Sequence, residues 1–162
     1  LAIDLCRKSI DLEPSYALTH DYLWILLHRT GRLEAAFAEY RAALSLWGYP
    51  EIAAQAGRVH AQSGYRAALL AAADALAALA TPAADAGRGP GKVPVQVIAE
   101  TYALAGEVAR AVAWVERGIE QREPFVFWLR YMTEFDALRE DARFAELVER
   151  VAREQAGEQT VG

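Results

Sequence analysis

The sequence predicts an all-α chain built from stacked antiparallel helix pairs, and three observations carry that prediction. First, alanine dominates the apolar residues, as in the run Ala67-Ala68-Leu69-Leu70-Ala71-Ala72-Ala73, while β-branched residues are sparse and scattered. Alanine is the strongest helix former and lets helices approach closely, and a shortage of β-branched residues disfavours a large sheet. Second, residues of similar character recur at a spacing of 34. Ala2, Cys6, Ser9 and Leu12 shift onto Ala36, Tyr40, Ala43 and Leu46, and the turn-former Pro14 shifts onto Gly48. Third, Gly31, Gly64 and Gly106 punctuate helical patterns at separations of 33 and 42 residues.

Taken in order, Leu1–Leu12 reads as one helix with an apolar stripe that includes Cys6. Ala17–Thr30 and Leu33–Trp47 form a pair around Gly31-Arg32. Pro50 opens the next pair, Glu51–Ser63 and Tyr65–Ala80, around Gly64; a proline in the first turn gives up an N–H that would be unpaired anyway. Val95–Ala105 and Val108–Gln121 form the last pair around Gly106. The separation of 42 exceeds the repeat by 8, and the excess falls in residues 81–92, whose Pro, Gly and Ala content without periodicity predicts a flexible loop. Pro124–Leu129 is too apolar for a loop and is expected to dock on the last pair. Phe135, Leu138, Phe144, Leu147 and Val151 are expected to line the inside of a terminal cap, with a helix running to about Arg153 and a frayed tail over residues 155–162.

The 34-residue period, with small residues at the crossings and proline or glycine at the turns, resembles the tetratricopeptide repeat family. That resemblance implies one domain over residues 1–154, a right-handed α-α superhelix with a concave face, and a protein-binding scaffold as function. The middle pair departs from the pattern, with Ala56 and His60 at large apolar positions and Leu69 at the small crossing position. The segment Phe135-Asp136-Ala137-Leu138-Arg139-Glu140-Asp141-Ala142-Arg143-Phe144 is similar to the closing pattern of bacterial tetratricopeptide regions that follow winged-helix transcription regulators or cyclase-type output domains. The implied setting is the cytoplasmic C-terminal module of a larger regulatory or signalling protein, and the absence of an initiator Met fits an excised piece. Carrying the family's groove positions over by register gives Asp21, Tyr22, Ile25, His28 and Arg29 from the first complete pair. The middle pair gives Gln55, Arg58 and Gln62, and the last gives Gln96 and Glu100. This mixture suits an extended peptide, whose backbone needs both donors and acceptors. Asp21 stands where relatives that grip a C-terminal carboxylate place a cation, which disfavours that ligand.

Other functions find less support. A net charge of −5 supplies no overall basic face for nucleic acid. One cysteine precludes an intrachain disulfide, and Cys6 reads as a small core residue. No metal or cofactor set is expected: His20 and His28 lie two turns apart, and His60 occupies a packing position. Gly87–Lys92 fails as a phosphate loop, because Ala86 and Val93 replace the required glycine and hydroxyl residue. Glu34, Glu39, Glu116 and Glu120 read as solvated charges, no serine sits in a nucleophile elbow, and the chain is not expected to be an enzyme. Trp24, Trp47, Trp114 and Trp128 are expected to pack. The apolar run 67–80 is broken by Asp74 and is shorter than the roughly 20 residues a bilayer span needs, so no membrane contact is expected. Two alternatives to peptide binding stay open: a small-molecule sensor, and a homo-oligomer joined through an N-terminal face carrying Leu5, Ile10 and Leu12.

Overall fold

A computed structural model describes residues 1–80 and 94–159, with side chains to 156. Its elements are α1 (Ala2–Leu12), α2 (Ala17–Arg29), α3 (Leu33–Leu46), α4 (Pro50–Leu79), α5 (Val95–Leu104) and α6 (Val108–Glu120), then two 3₁₀ segments (Pro124–Tyr131 and Thr133–Leu138) and α7 (Ala142–Gln159). No strand occurs among the described residues, and the all-α expectation holds. The expected loop at 81–92 lies outside the described residues. Of the tail expected over 155–162, residues 155–159 are helical, because α7 continues to Gln159 on residues that favour helix, such as Arg153, Glu154, Gln155 and Ala156, and residues 160–162 lie outside the described residues.

The turns fall where the glycines are. Gly31, Gly64 and Gly106 have φ of 73°, 82° and 79°, a region that residues with a Cβ rarely enter. At Gly64 (ψ −177°) the backbone leaves helical geometry inside α4, splitting it into segments 50–63 and 65–79. The chain clusters into two compact units, Leu1–Leu76 and Ala77–Gly162.

In the first unit α2 packs on α3 through fully buried Leu23, Trp24 and Leu27 against Ala36, Tyr40 and Leu44. The Trp24 and Tyr40 ring centroids are 4.3 Å apart. Ala36 and Ala43 have no exposed surface, so their small side chains allow this approach. The inward face of segment 50–63 carries Ile52, Ala53 and Ala56, and His60 stacks on Phe37 of α3 at 4.1 Å between centroids. Arg41 of α3 donates from Nε to the Ala53 carbonyl at 3.1 Å and lies across Gly57, where a Cβ would stand 3.1 Å from its guanidinium carbon. α1 meets α2 through the Ser9–Thr19 hydroxyl pair and buries none of its own residues.

In the second unit α5 and α6 bury Val95, Val97, Ile98 and Tyr102 with Ala111, Val112 and Val115. Phe135, Leu138, Phe144, Leu147 and Val151, the residues expected to line the inside of a cap, are all buried. Phe125, Phe135 and Phe144 follow one another at 6.5 and 6.1 Å between ring centroids. Gly118 of α6 admits Phe125, since a Cβ there would lie 2.5 Å from the ring. The polar residues of the closing pattern also have physical roles. Arg139 bonds Asp136 and donates to the carbonyls of Arg130 and Met132, which pins the junction of the two 3₁₀ segments. Asp141 accepts the Phe144 N–H at 3.0 Å, a side-chain cap on the first turn of α7. Arg143 pairs with Glu116, which is therefore not a merely solvated charge.

One packing expectation is corrected here. Only Phe125 and Leu129 of the apolar run 124–129 are buried; Phe127 and Trp128 are 58% and 66% exposed. A 3₁₀ segment turns about every three residues, so a run this short cannot turn all its apolar residues inward.

Candidate functional site

The surface expected to bind ligand divides between the two units. In the first, Tyr22 and Arg29 of α2 are exposed and His28 is half-buried. Gln55, Arg58 and Gln62 are all exposed on segment 50–63. Their spacing of three and four residues puts them on one helical face, away from the inward Ile52–Ala56 face. In the second unit Gln96 is half-buried and donates from Nε2 to Glu100 Oε1 at 2.6 Å.

Three expected groove residues are not surface at all. Asp21 and Ile25 are 4% and 6% exposed, and Glu100 is fully buried. The register places them at an angle that an isolated helix pair would leave open. α2, however, is covered on three sides: by α1 at Thr19, by α3 at Trp24 and by α4 at His28. Glu100 lies on a helix of which Val95 and eight-tenths of the residues in all are buried, from Val97 through Ala103.

At the C-terminal end of α2 a polar ring network joins residues distant in sequence. Trp24 Nε1 donates to Tyr65 Oη at 2.9 Å, and the same oxygen lies 2.9 Å from His28 Nδ1. Phe37 meets the Tyr65 ring edge-on at 6.2 Å. Burial lowers the His28 pKa, favouring the neutral ring. Burial also pushes Tyr65 up to about 12, with the Trp24 hydrogen bond opposing, so its hydroxyl stays protonated.

Sequence reasoning passes over Tyr65. The available signal is a tyrosine directly after the helix-breaking glycine and ahead of an alanine run, where a hydroxyl has no local partner.

A second polar contact corrects the reading of Glu39 as a solvated charge. Its Oε2 lies 2.7 Å from His20 Nδ1, and His20 Nε2 lies 3.1 Å from the Pro14 carbonyl, tying α3, α2 and the preceding turn together. Among the described residues no group of three or more His, Cys, Asp or Glu side chains could hold a metal ion. None of the described helices is long and apolar enough to cross a membrane. No protein-family model, curated protein or solved structure matches the chain.

Proposed function

We propose that the first unit is a tetratricopeptide-type scaffold that binds an extended peptide segment of a protein partner across α2 and segment 50–63. The observation that carries this reading is the division of labour on segment 50–63. Ile52, Ala53 and Ala56 face inward, whereas Gln55, Arg58 and Gln62 are exposed at the same helical spacing. On α2 the exposed Tyr22, 58% accessible, adds an aromatic platform. Amide, guanidinium and phenol groups together offer the donors, acceptors and flat apolar area that a peptide backbone and its side chains need.

The test is selection of short peptides from a random displayed library against the intact chain. Selected peptides are expected to lose about tenfold or more in affinity with Arg58→Glu or Tyr22→Ala, on the scale of one substantial interface contact. A library that yields no binder, or binders indifferent to both variants, overturns the reading.

Self-association is the second reading, and one observation favours it. α1 buries no residue and leaves Leu5 and Leu12 57% and 86% exposed, with Ile10 half-buried. Light scattering over a dilution series decides it: a dimer abolished by Leu5→Glu with Ile10→Glu supports it, and a monomer at every concentration removes it.

A further inference from the structure

The ring network at the end of α2 favours one position for the His28 proton. Trp24 can only donate, so its 2.9 Å bond to Tyr65 takes up a lone pair of the phenol oxygen. Tyr65 has one hydrogen to give, and its other bonding partner is His28 Nδ1, also at 2.9 Å. The oxygen has a second lone pair, but if it also accepted an N–H from Nδ1 the hydroxyl hydrogen would have no acceptor within the network. The arrangement that uses every donor has the hydroxyl donating to an Nδ1 that carries a lone pair. A neutral imidazole with an unprotonated Nδ1 holds its proton on Nε2. Burial, which disfavours the charged ring, acts in the same direction.

His28 is half-buried, and with Nδ1 engaged by Tyr65 its Nε2 is the ring nitrogen through which it would meet a ligand. Trp24 and Tyr65 thus orient and polarise the His28 Nε2–H. An Nε2 held in this form has no lone pair for a cation or a donor; it recognises an oxygen.

We propose that His28 Nε2–H is a preset hydrogen-bond donor for an oxygen acceptor, a backbone carbonyl or a carboxylate, of a peptide bound against α2. The proposal rests on the peptide-scaffold reading and names the contact within it. Tyr65 is a positioning residue in this arrangement: it touches no ligand and acts through the His28 tautomer. The guanidinium groups of Arg29 and Arg58, exposed on two helices of the same unit, make a negatively charged oxygen the better fit.

Two measurements test it. In the nitrogen and carbon NMR spectra of the labelled chain at neutral pH, His28 is expected to be neutral with its proton on Nε2, and Tyr65→Phe is expected to produce a tautomer mixture. A proton on Nδ1, or a charged ring, overturns the proposal. In the second measurement, peptides selected from the random library are titrated against the chain and against His28→Phe, which keeps a ring against Tyr65. A loss of about fivefold or more is expected, the scale of one hydrogen bond. Amidating the peptide's carboxylates then identifies the source: a matching loss marks a carboxylate, and no change marks a backbone carbonyl. Peptides that bind His28→Phe as well as they bind the native chain overturn the proposal and leave the scaffold reading standing. Failure to select any peptide removes both.

Discussion

Around Trp24 in the first unit the packed rings carry polar atoms that must be paired: the indole N–H and His28 Nδ1 each meet the Tyr65 hydroxyl at 2.9 Å. Around Phe135 in the second unit the rings carry none, and three phenylalanines pack with their centroids 6.1 and 6.5 Å apart. The difference teaches what each core can be used for. A phenylalanine cluster is held by contact area, keeps its strength over the whole pH range, and presents nothing that a ligand could read. A hydrogen-bonded ring network is held by direction, depends on protonation, and can pass the orientation of a buried group out to the surface.

The comparison can be broken most forcefully at Phe135, which is fully buried at the centre of its cluster. Phe135→Ala is expected to cost about 3–5 kcal/mol, lost contact area plus a cavity. Urea unfolding followed by tryptophan fluorescence measures it. A loss below about 1 kcal/mol would mean that the cap closes over the gap and that area is not what holds it.

Tyr65→Phe keeps the ring and removes only the hydroxyl. It is expected to cost about 1–3 kcal/mol, because the indole N–H of fully buried Trp24 loses its acceptor. The same denaturant series measures it, and an unchanged midpoint would show that the pairing in the first unit is dispensable.

The smallest effect is the response to pH. The folded-state pKa of His28 is depressed, so its contribution is complete above the ordinary imidazole value of about 6.5 and fades as pH falls through the lowered folded value. The folded-state pKa of Tyr65 is raised, so its contribution is complete below the ordinary phenol value and is lost as pH rises through about 12. Melting curves of the native chain and of His28→Phe should therefore diverge on the acid side. Parallel curves would sink the assignment.

The helices were legible because their signals are local. A glycine with positive φ ends a helix wherever it stands, and the buried spacing of Phe144, Leu147 and Val151 is visible within α7 itself. The polar contacts were not. Trp24 and Tyr65 are separated by 41 residues, and His20 and Glu39 by 19. Nothing adjacent to either member of a pair announces the other. Burial of Asp21, Ile25 and Glu100 escaped for a related reason. Periodicity says which residues share a face of a helix, but the width of the covered arc depends on how many neighbours the helix acquires, as α2 acquires three.

The break at Gly64 also sets a topological condition. Segments 50–63 and 65–79 are helical up to the glycine on both sides, and the φ of 82° and ψ of −177° at Gly64 kink the chain between them. An alanine there is strained in the bent form and content in a straight helix. A straightened α4 would be a rod of 30 residues, about 45 Å long, with Tyr65 carried away from Trp24 and His28. Gly64 thus sets whether Tyr65 can reach Trp24 and His28 within one chain.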